Sequence, residues 1–248
     1  MRFPALLVSV GFFAFAASPV GAREPARADA YRDADALYFA RDQEGNLQRG
    51  IGHLEEILKG NPEEGGARWR LCRALARRGE ARPRKSDRLA DYDAARTQCG
   101  KAVALSPDSA DAHFWLGVAM GRWGEARGVL KAMFLIKPIR REMEATLKLD
   151  PGHGGAHRVL GEMLWQIPAF AGGDKKKALA EFEAAVRLSP NHSANYQPLA
   201  EAYLRFGRRD EAIRALNAVA AIRDPADPAE YPGDLADAKK MLAALSSK

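Results

Sequence analysis

The sequence predicts an all-α fold, an α-α superhelix of about five helix-turn-helix repeats with a final capping helix. Four prolines, each shortly after a leucine that ends an apolar helical segment, punctuate the chain at Pro62, Pro107, Pro151 and Pro190. Proline ends one helix and leaves room for the next, so spacings of 45, 44 and 39 residues indicate a repeated unit. Sustained alternation of β-branched and polar residues does not occur, so strands are not expected.

Each predicted first helix from the second repeat onward carries a leucine followed by a small residue. These pairs are Leu71-Cys72, Leu116-Gly117, Leu160-Gly161 and Leu199-Ala200. The predicted second helices carry small or apolar residues three and four positions apart, which we expect to pack against these pairs. Ala178, Phe182 and Ala185 are an example and lie on one helix face. This interlock is typical of the tetratricopeptide repeat, whose period is about 34 residues, so these repeats carry insertions.

The predicted repeats lie near residues 31–64, 65–108, 109–152, 153–191 and 192–225, and the capping helix lies at 234–246. A capping helix is expected because a superhelix must cover its last apolar face. An apolar insertion at 124–141 either forms a lid over the groove or lengthens the second helix of its repeat. Pro138 within it is expected to kink or break that helix.

The first 22 residues have the pattern of a secretory signal. Arg2 is their only charge, an apolar segment spans Phe3 to Ala17, and small residues at 20–22 suit a signal peptidase. We therefore expect a cleaved signal peptide at 1–22, a repeat domain at 23–248, and export to a bacterial periplasm without stable membrane insertion after cleavage. Retention of the segment as an anchor is the alternative.

A family resemblance rests on the stretch from Pro151 to Ala212. It contains Leu160-Gly161, then Pro168 and Gly172-Gly173-Asp174 ahead of a second helix. It resembles the regulator-of-microtubule-dynamics family and the T-component (TatT) of periplasmic TRAP-type transporters, over about residues 65 to 245. The resemblance implies a scaffold that binds a partner protein or a small apolar ligand, as a transport accessory. Export would exclude microtubules as the partner.

The first helices of such a superhelix line a concave face, where we expect a binding groove. Counting two positions before, two after and five after the leucine of each pair gives twelve positions, and nine of their residues are the candidate groove residues. They are Trp69, Arg73, Phe114, Val118, Arg158, Glu162, Trp165, Gln197 and Glu201. Aromatic side chains among charges suit a peptide, or an apolar molecule with a polar end. The alternative is that these aromatics pack against the inserted segments.

No motif points to catalysis, a metal or a cofactor. Gly172-Gly173-Asp174 follows no strand and precedes no Gly-Lys-Ser/Thr, so Pro168 and this motif form a structural turn in which Asp174 caps the next helix. His153 and His157 are four apart, but Gly154 replaces the glutamate that a zinc protease requires. Without a Gly-x-Ser-x-Gly or Cys-His arrangement, the protein is expected not to be an enzyme.

Two local features concern redox state and charge. Cys72 and Cys99 fall in one predicted helical hairpin, so they form either a disulfide or two buried thiols. Nine of the basic residues lie between Arg68 and Arg88, opposed by Glu80 and Asp87 alone. This segment is interpreted as a solvated face, and nucleic acid is not an expected partner because aromatic interleaving is limited to Trp69.

The favoured function is an exported tetratricopeptide scaffold that engages a protein partner or an apolar small molecule on its concave face. A self-assembling structural repeat protein without a small-molecule ligand is the alternative, and homo-oligomers fit either function.

Overall fold

A computed structural model describes residues 24–246 as a succession of α-helices, with no strand among them. The helices are α1 (Glu24–Phe39), α2 (Asn46–Gly60), α3 (Gly65–Glu80), α4 (Lys85–Leu105), α5 (Ala110–Arg127), α6 (Val129–Leu149), α7 (Gly154–Gln166), α8 (Lys175–Leu188), α9 (Tyr196–Arg205), α10 (Arg209–Ala220) and α11 (Tyr231–Ser246). The predicted all-α repeat fold is confirmed. The predicted signal peptide at 1–22 lies outside the described residues.

Helices pack in antiparallel pairs, α1 with α2 through α9 with α10, and each pair packs against the next. The five pairs fall within the five predicted repeat ranges except that α1 begins earlier, and α11 packs on α10 as a cap, beginning three residues earlier than predicted. No helix within residues 24–246 combines the length and apolar character that crossing a membrane requires.

Side chains and backbone turns set the helix ends. The Ser109 hydroxyl accepts a hydrogen bond from the backbone N–H of Ala112 at the start of α5. Asp174 accepts from the N–H groups of Lys176 and Lys177, so it caps α8 as predicted. Gly172, with φ at 96°, supplies the left-handed turn before this cap, which agrees with a structural role for the Gly-Gly-Asp motif.

Small residues in the leucine-small pairs allow the helices of a repeat to touch. A Cβ on Gly161 of α7 would lie 2.6 Å from the ring of Phe182 on α8, closer than packed atoms approach. A Cβ on Gly117 would likewise collide with Met143, which is fully buried. The apolar core is therefore divided among neighbouring helix pairs, as expected for a repeat protein.

In the second repeat, the small residue of the leucine-small pair is Cys72, which forms a disulfide. A bond joins Cys72 on α3 to Cys99 on α4, with the two Cα atoms 5.5 Å apart. Both residues are fully buried, and the bond ties the two helices of the second repeat together.

The insertion at 124–141 does not form a lid, because it folds as the end of α5 and the first half of α6. Leu135 and Ile139 pack into the core on one side of α6, and Met143 continues that stripe. Pro138 lies inside α6 without ending it, so the expected break does not occur. The insertion therefore lengthens the second helix of the third repeat.

Candidate functional site: a divided concave face

The nine predicted groove residues do not form one continuous surface. Four of them, Glu162, Trp165, Gln197 and Glu201, line a common cleft between α7, α9 and α11. Two others, Arg73 and Phe114, are buried in packing, and their assignment to the groove is wrong. Trp69 and Val118 are half-buried beside them, and Arg158 borders the cleft through Glu162.

Arg73 on α3 is committed to α1. Its guanidinium donates a hydrogen bond to Asp35 at 2.5 Å and lies 3.7 Å from the ring centroid of Tyr38. Burial lowers the pKa of Arg73, although it stays far above neutrality. The side chain therefore holds the first repeat to the second and is closed to a partner.

Phe114 on α5 is a packing residue between the third and fourth repeats. Its ring centroid lies 4.5 Å from that of His153, and a Cβ on Gly155 would lie 2.9 Å from its ring. The absence of a side chain at Gly155 makes room for the ring. Of the three predicted groove aromatics, Phe114 therefore lies in the core and Trp165 in the cleft. Trp69 is half-buried, and the guanidinium of Arg70 covers its ring at 4.2 Å.

The chain itself crosses the concave side. Arg41, which follows α1, donates to Asp227 at 2.7 Å and lies 3.3 Å from Glu230. Arg77 of α3 pairs with the same Glu230 at 2.5 Å. We call these four residues the clasp; it joins the segment between α10 and α11 to the first two repeats and closes the superhelix on itself.

The crossing segment is also fixed to the fifth repeat. The N–H of Ala226 donates to the carbonyl oxygen of Asn191 at 2.9 Å, and the Ser193 hydroxyl donates to Asp234 at 2.6 Å. The segment thus spans from the start of the fifth repeat to the first helices of the first and second. It leaves the cleft at the α7–α9–α11 junction as the open part of the concave side.

The cleft encloses 320 Å³ and combines aromatic rings with carboxylates. Its lining is Glu162, Trp165, Gln166, Phe182, Ala194, Gln197, Pro198, Glu201 and Asp234. Three of these side chains are acidic and none is Lys or Arg. Burial raises the pKa of Asp234, whose carboxylate accepts the hydrogen bond from Ser193.

One cation already lies on the cleft's aromatic wall. The ammonium of Lys175 lies 4.4 Å from the ring centroid of Trp165 and contacts the backbone carbonyl of the same residue. Arg158 donates to Glu162 at 2.6 Å, and Gln197 donates to Glu201 at 3.0 Å. The cleft therefore offers one cation–π position and carboxylates within reach of flexible side chains.

The histidines serve packing and turn geometry. His113 and His157 occupy the same repeat position and each contacts a glutamate at 2.7 Å, Glu142 and Glu181 respectively. Burial, with Arg158 nearby, lowers the pKa of His192 to about 4. Within residues 24–246, no three His, Cys, Asp or Glu side chains meet in an arrangement suited to a metal ion.

The basic segment at 68–88 is largely neutralised within the protein. Arg70 pairs with Asp35, and Arg78 and Arg82 both pair with the buried Asp91. The acidic partners missing from the local sequence come from α1, α4 and the clasp.

Sequence reasoning missed the clasp and the contribution of Asp234 to the cleft. The segment Asp224-Pro225-Ala226-Asp227-Pro228 lies where the last predicted repeat ends, and no role was predicted for it from the sequence. Two aspartates, each followed by a proline, in a chain with excess basic residues upstream, were the available signal. Their partner, Arg41, lies 186 residues away, and no local pattern specifies that pairing.

Comparisons with known proteins agree with the repeat architecture. Residues 30–168 match the family described as Regulator of microtubule dynamics protein 1-3, and residues 169–231 match the Tetratricopeptide repeat family. No match to a curated protein was found.

The solved structures similar to this chain include a tetratricopeptide repeat protein. A thermophilic TPR protein of Thermus thermophilus is 20% identical, with a TM-score of 0.65 over 89% of this chain and 99% of that one. MamA from Desulfovibrio magneticus RS-1 is 20% identical, with a TM-score of 0.48 over 79% of this chain and 94% of that one. The likeness to the Thermus protein supports the fold.

Proposed function

Because this chain belongs to the regulator of microtubule dynamics protein 1-3 family and folds as a tetratricopeptide superhelix, a scaffold that binds proteins, we propose that its cleft binds a basic segment of a partner polypeptide. The supporting observation is the cleft lining, which includes three carboxylates and the Trp165 ring but no Lys or Arg, although Lys175 and Arg158 contact its margin. The contact of Lys175 with that ring is an example, within the chain, of the cation–π contact that we expect from a partner's lysine or arginine.

The lining favours a polypeptide over an apolar small molecule. An apolar ligand would bury Glu201 and Asp234 without supplying an opposite charge, and within the chain these two carboxylates have only the neutral donors Gln197 and Ser193, so their burial would cost free energy. A basic segment would instead pair with these carboxylates while its aliphatic stems cover Trp165 and Phe182. The predicted apolar ligand is therefore the weaker alternative for this cleft.

The proposal is tested by selecting binders from a random peptide library against the full chain. Selected peptides are expected to be rich in Lys and Arg, and to bind more weakly as ionic strength rises. The double variant Glu162→Gln/Glu201→Gln should lower their affinity by about tenfold or more, since each carboxylate contributes a charge-assisted hydrogen bond. Glu144→Gln, at an exposed position on α6, is the matched control. Selected peptides without basic residues, or insensitive to the double variant, would refute the proposal.

We place this binding outside the cytoplasm, after removal of residues 1–22, because of the signal-like segment. The buried disulfide supports the proposal, since disulfides persist in oxidising compartments. A role as an accessory to a TRAP-type transporter rests on the resemblance of residues 151–212 and would require a solute-binding protein among the captured partners. Amino-terminal sequencing of the protein purified from its host tests the cleavage, and a chain that still begins at Met1 contradicts it.

A further inference from the structure

One edge of the superhelix differs from the other in charge and exposed apolar surface. Antiparallel helix pairs place every turn that follows a first helix at one edge and every turn that follows a second helix at the other. We call the former, in repeats two to five, the basic edge. With the flanking helix ends included, its turns span 78–87, 125–131, 164–177 and 203–211.

The charge difference between the two edges is large. The four turns of the basic edge hold 12 Lys or Arg against 6 Asp or Glu, and Asp91 just outside them pairs with Arg78 and Arg82. The four turns of the opposite edge, at 58–67, 103–112, 147–156 and 186–198, hold 3 against 5. A field of this asymmetry orients a protein toward an anionic surface.

The most exposed large apolar side chains described lie at the basic edge or in the first turns of α6 that follow it. Phe170 is 94% exposed in the α7–α8 turn, and Phe134, Leu130 and Met133 on α6 are 78%, 75% and 58% exposed, whereas every other exposed large apolar side chain described is at most 41% exposed. These four residues, the apolar tips, are held by defined structure. Gly172 turns the backbone behind Phe170, and the core-facing side of α6 is already packed.

The α6 segment has the pattern of a helix that lies in a membrane interface. Leu130, Met133 and Phe134 share one face by their spacing of three and four, and Lys137 and Arg141 continue the same face. No acidic residue occurs from position 129 to 141. At the neighbouring turn, exposed lysines at 175–177 follow Phe170. Apolar side chains flanked by basic residues insert between lipids while the cations contact anionic headgroups.

We propose that the basic edge docks peripherally on an anionic phospholipid membrane, with the apolar tips inserted and the neighbouring Lys and Arg on the headgroups. The tips protrude, so they suit a deformable apolar surface better than a preformed protein pocket. The basic edge meets the cleft at Trp165 and Gln166, whereas Gln197, Glu201 and Asp234 on α9 and α11 lie outside its turns, so that side of the cleft is left open to a polypeptide.

The test is sedimentation of the full chain with vesicles made of equal parts phosphatidylcholine and phosphatidylglycerol, and with vesicles of phosphatidylcholine alone. Binding is expected to the mixed vesicles and to weaken with salt. Phe134→Ser/Phe170→Ser and, separately, Lys176→Gln/Lys177→Gln are each expected to lower the affinity by about tenfold. The matched controls Leu105→Ser/Leu188→Ser, at the opposite edge, and Lys239→Gln/Lys240→Gln, on α11, should leave it unchanged.

A local probe separates this edge from any binding through residues 1–22. The two cysteines of the chain are bonded to each other, so Phe170→Cys supplies a single thiol for an environment-sensitive fluorophore. Its emission should rise with the mixed vesicles, and the same fluorophore on Leu188→Cys should not respond. Equal fluorescence responses at positions 170 and 188, or unchanged vesicle affinity of the basic-edge variants, would overturn the proposal. So would edge variants that bind vesicles normally but lose self-association.

Discussion

Removing the Asp227 carboxylate should destabilise the whole protein, because the buried guanidinium of Arg41 then loses its nearer acidic partner and keeps only Glu230. The Arg41 side chain is 9% exposed and that of Asp227 is 7% exposed. Breaking a buried pair from one side typically costs about 3–5 kcal/mol. Glu230 remains 3.3 Å from Arg41, so we expect the lower end of that range, about 3 kcal/mol, for Asp227→Ala.

The assay is equilibrium urea unfolding followed by circular dichroism, with hydrogen exchange as a local readout. Asp227→Ala should also raise amide exchange in the segment 221–234, which the clasp holds. Glu56→Ala is the control: it removes a carboxylate 2.5 Å from Lys59, but both side chains are exposed, so no measurable change is expected. A loss below about 1 kcal/mol for Asp227→Ala, typical of exposed pairs, would show that the clasp does not hold the superhelix closed.

Three further outcomes follow from the packing and the titrating groups. Cys99→Ser should lower the free energy of unfolding by about 3–4 kcal/mol, because the disulfide closes a loop of 27 residues in the unfolded chain. Urea unfolding with and without dithiothreitol checks this, and the reductant should not change the stability of the variant further. Gly161→Ala should lower the free energy of unfolding by about 1–3 kcal/mol because the new Cβ would collide with Phe182. Gly100→Ala, at an exposed position on α4 with open space around it, should raise the free energy of unfolding by about 0.5–1 kcal/mol. Equal melting temperatures of the two variants would contradict this expectation. The pKa of His192 is about 4 in the folded protein and about 6.5 in the unfolded chain, so neutral His192 stabilises the fold above pH 6.5. This stabilisation, about 3 kcal/mol in all, is lost as the pH falls toward 4. The difference in unfolding free energy between the wild type and His192→Asn should therefore change between pH 6.5 and 4 and stay constant above pH 6.5.

The repeat architecture was accessible from the sequence because its determinants are local. The prolines after the second helices and the leucine-small pairs act within one helix or between neighbours. Gly161 against Phe182 is an example: the two positions are 21 residues apart, and the repeat pattern pairs them. The cap by Asp174 is equally local.

The binding surface was predicted less completely, because what covers a repeat's concave face depends on distant segments. Counting from the leucines brought Glu162, Trp165, Gln197 and Glu201 together, since neighbouring repeats share one geometry. The same count failed at Arg73, where α1 supplies Asp35 and Tyr38 to bury the guanidinium. The first repeat carries the weakest motif, so its contacts were the hardest to foresee.

The most direct test of the proposed cleft is hydrogen exchange of the full chain with and without a selected lysine- and arginine-rich peptide. Bound peptide should slow exchange in α7, in α9 and at the start of α11, which carry the charged and amide side chains of the cleft, whereas α8 contributes Phe182 alone. Protection confined to the second helices α4, α6 and α8, or no protection at saturating peptide, would contradict a binding site on the concave side.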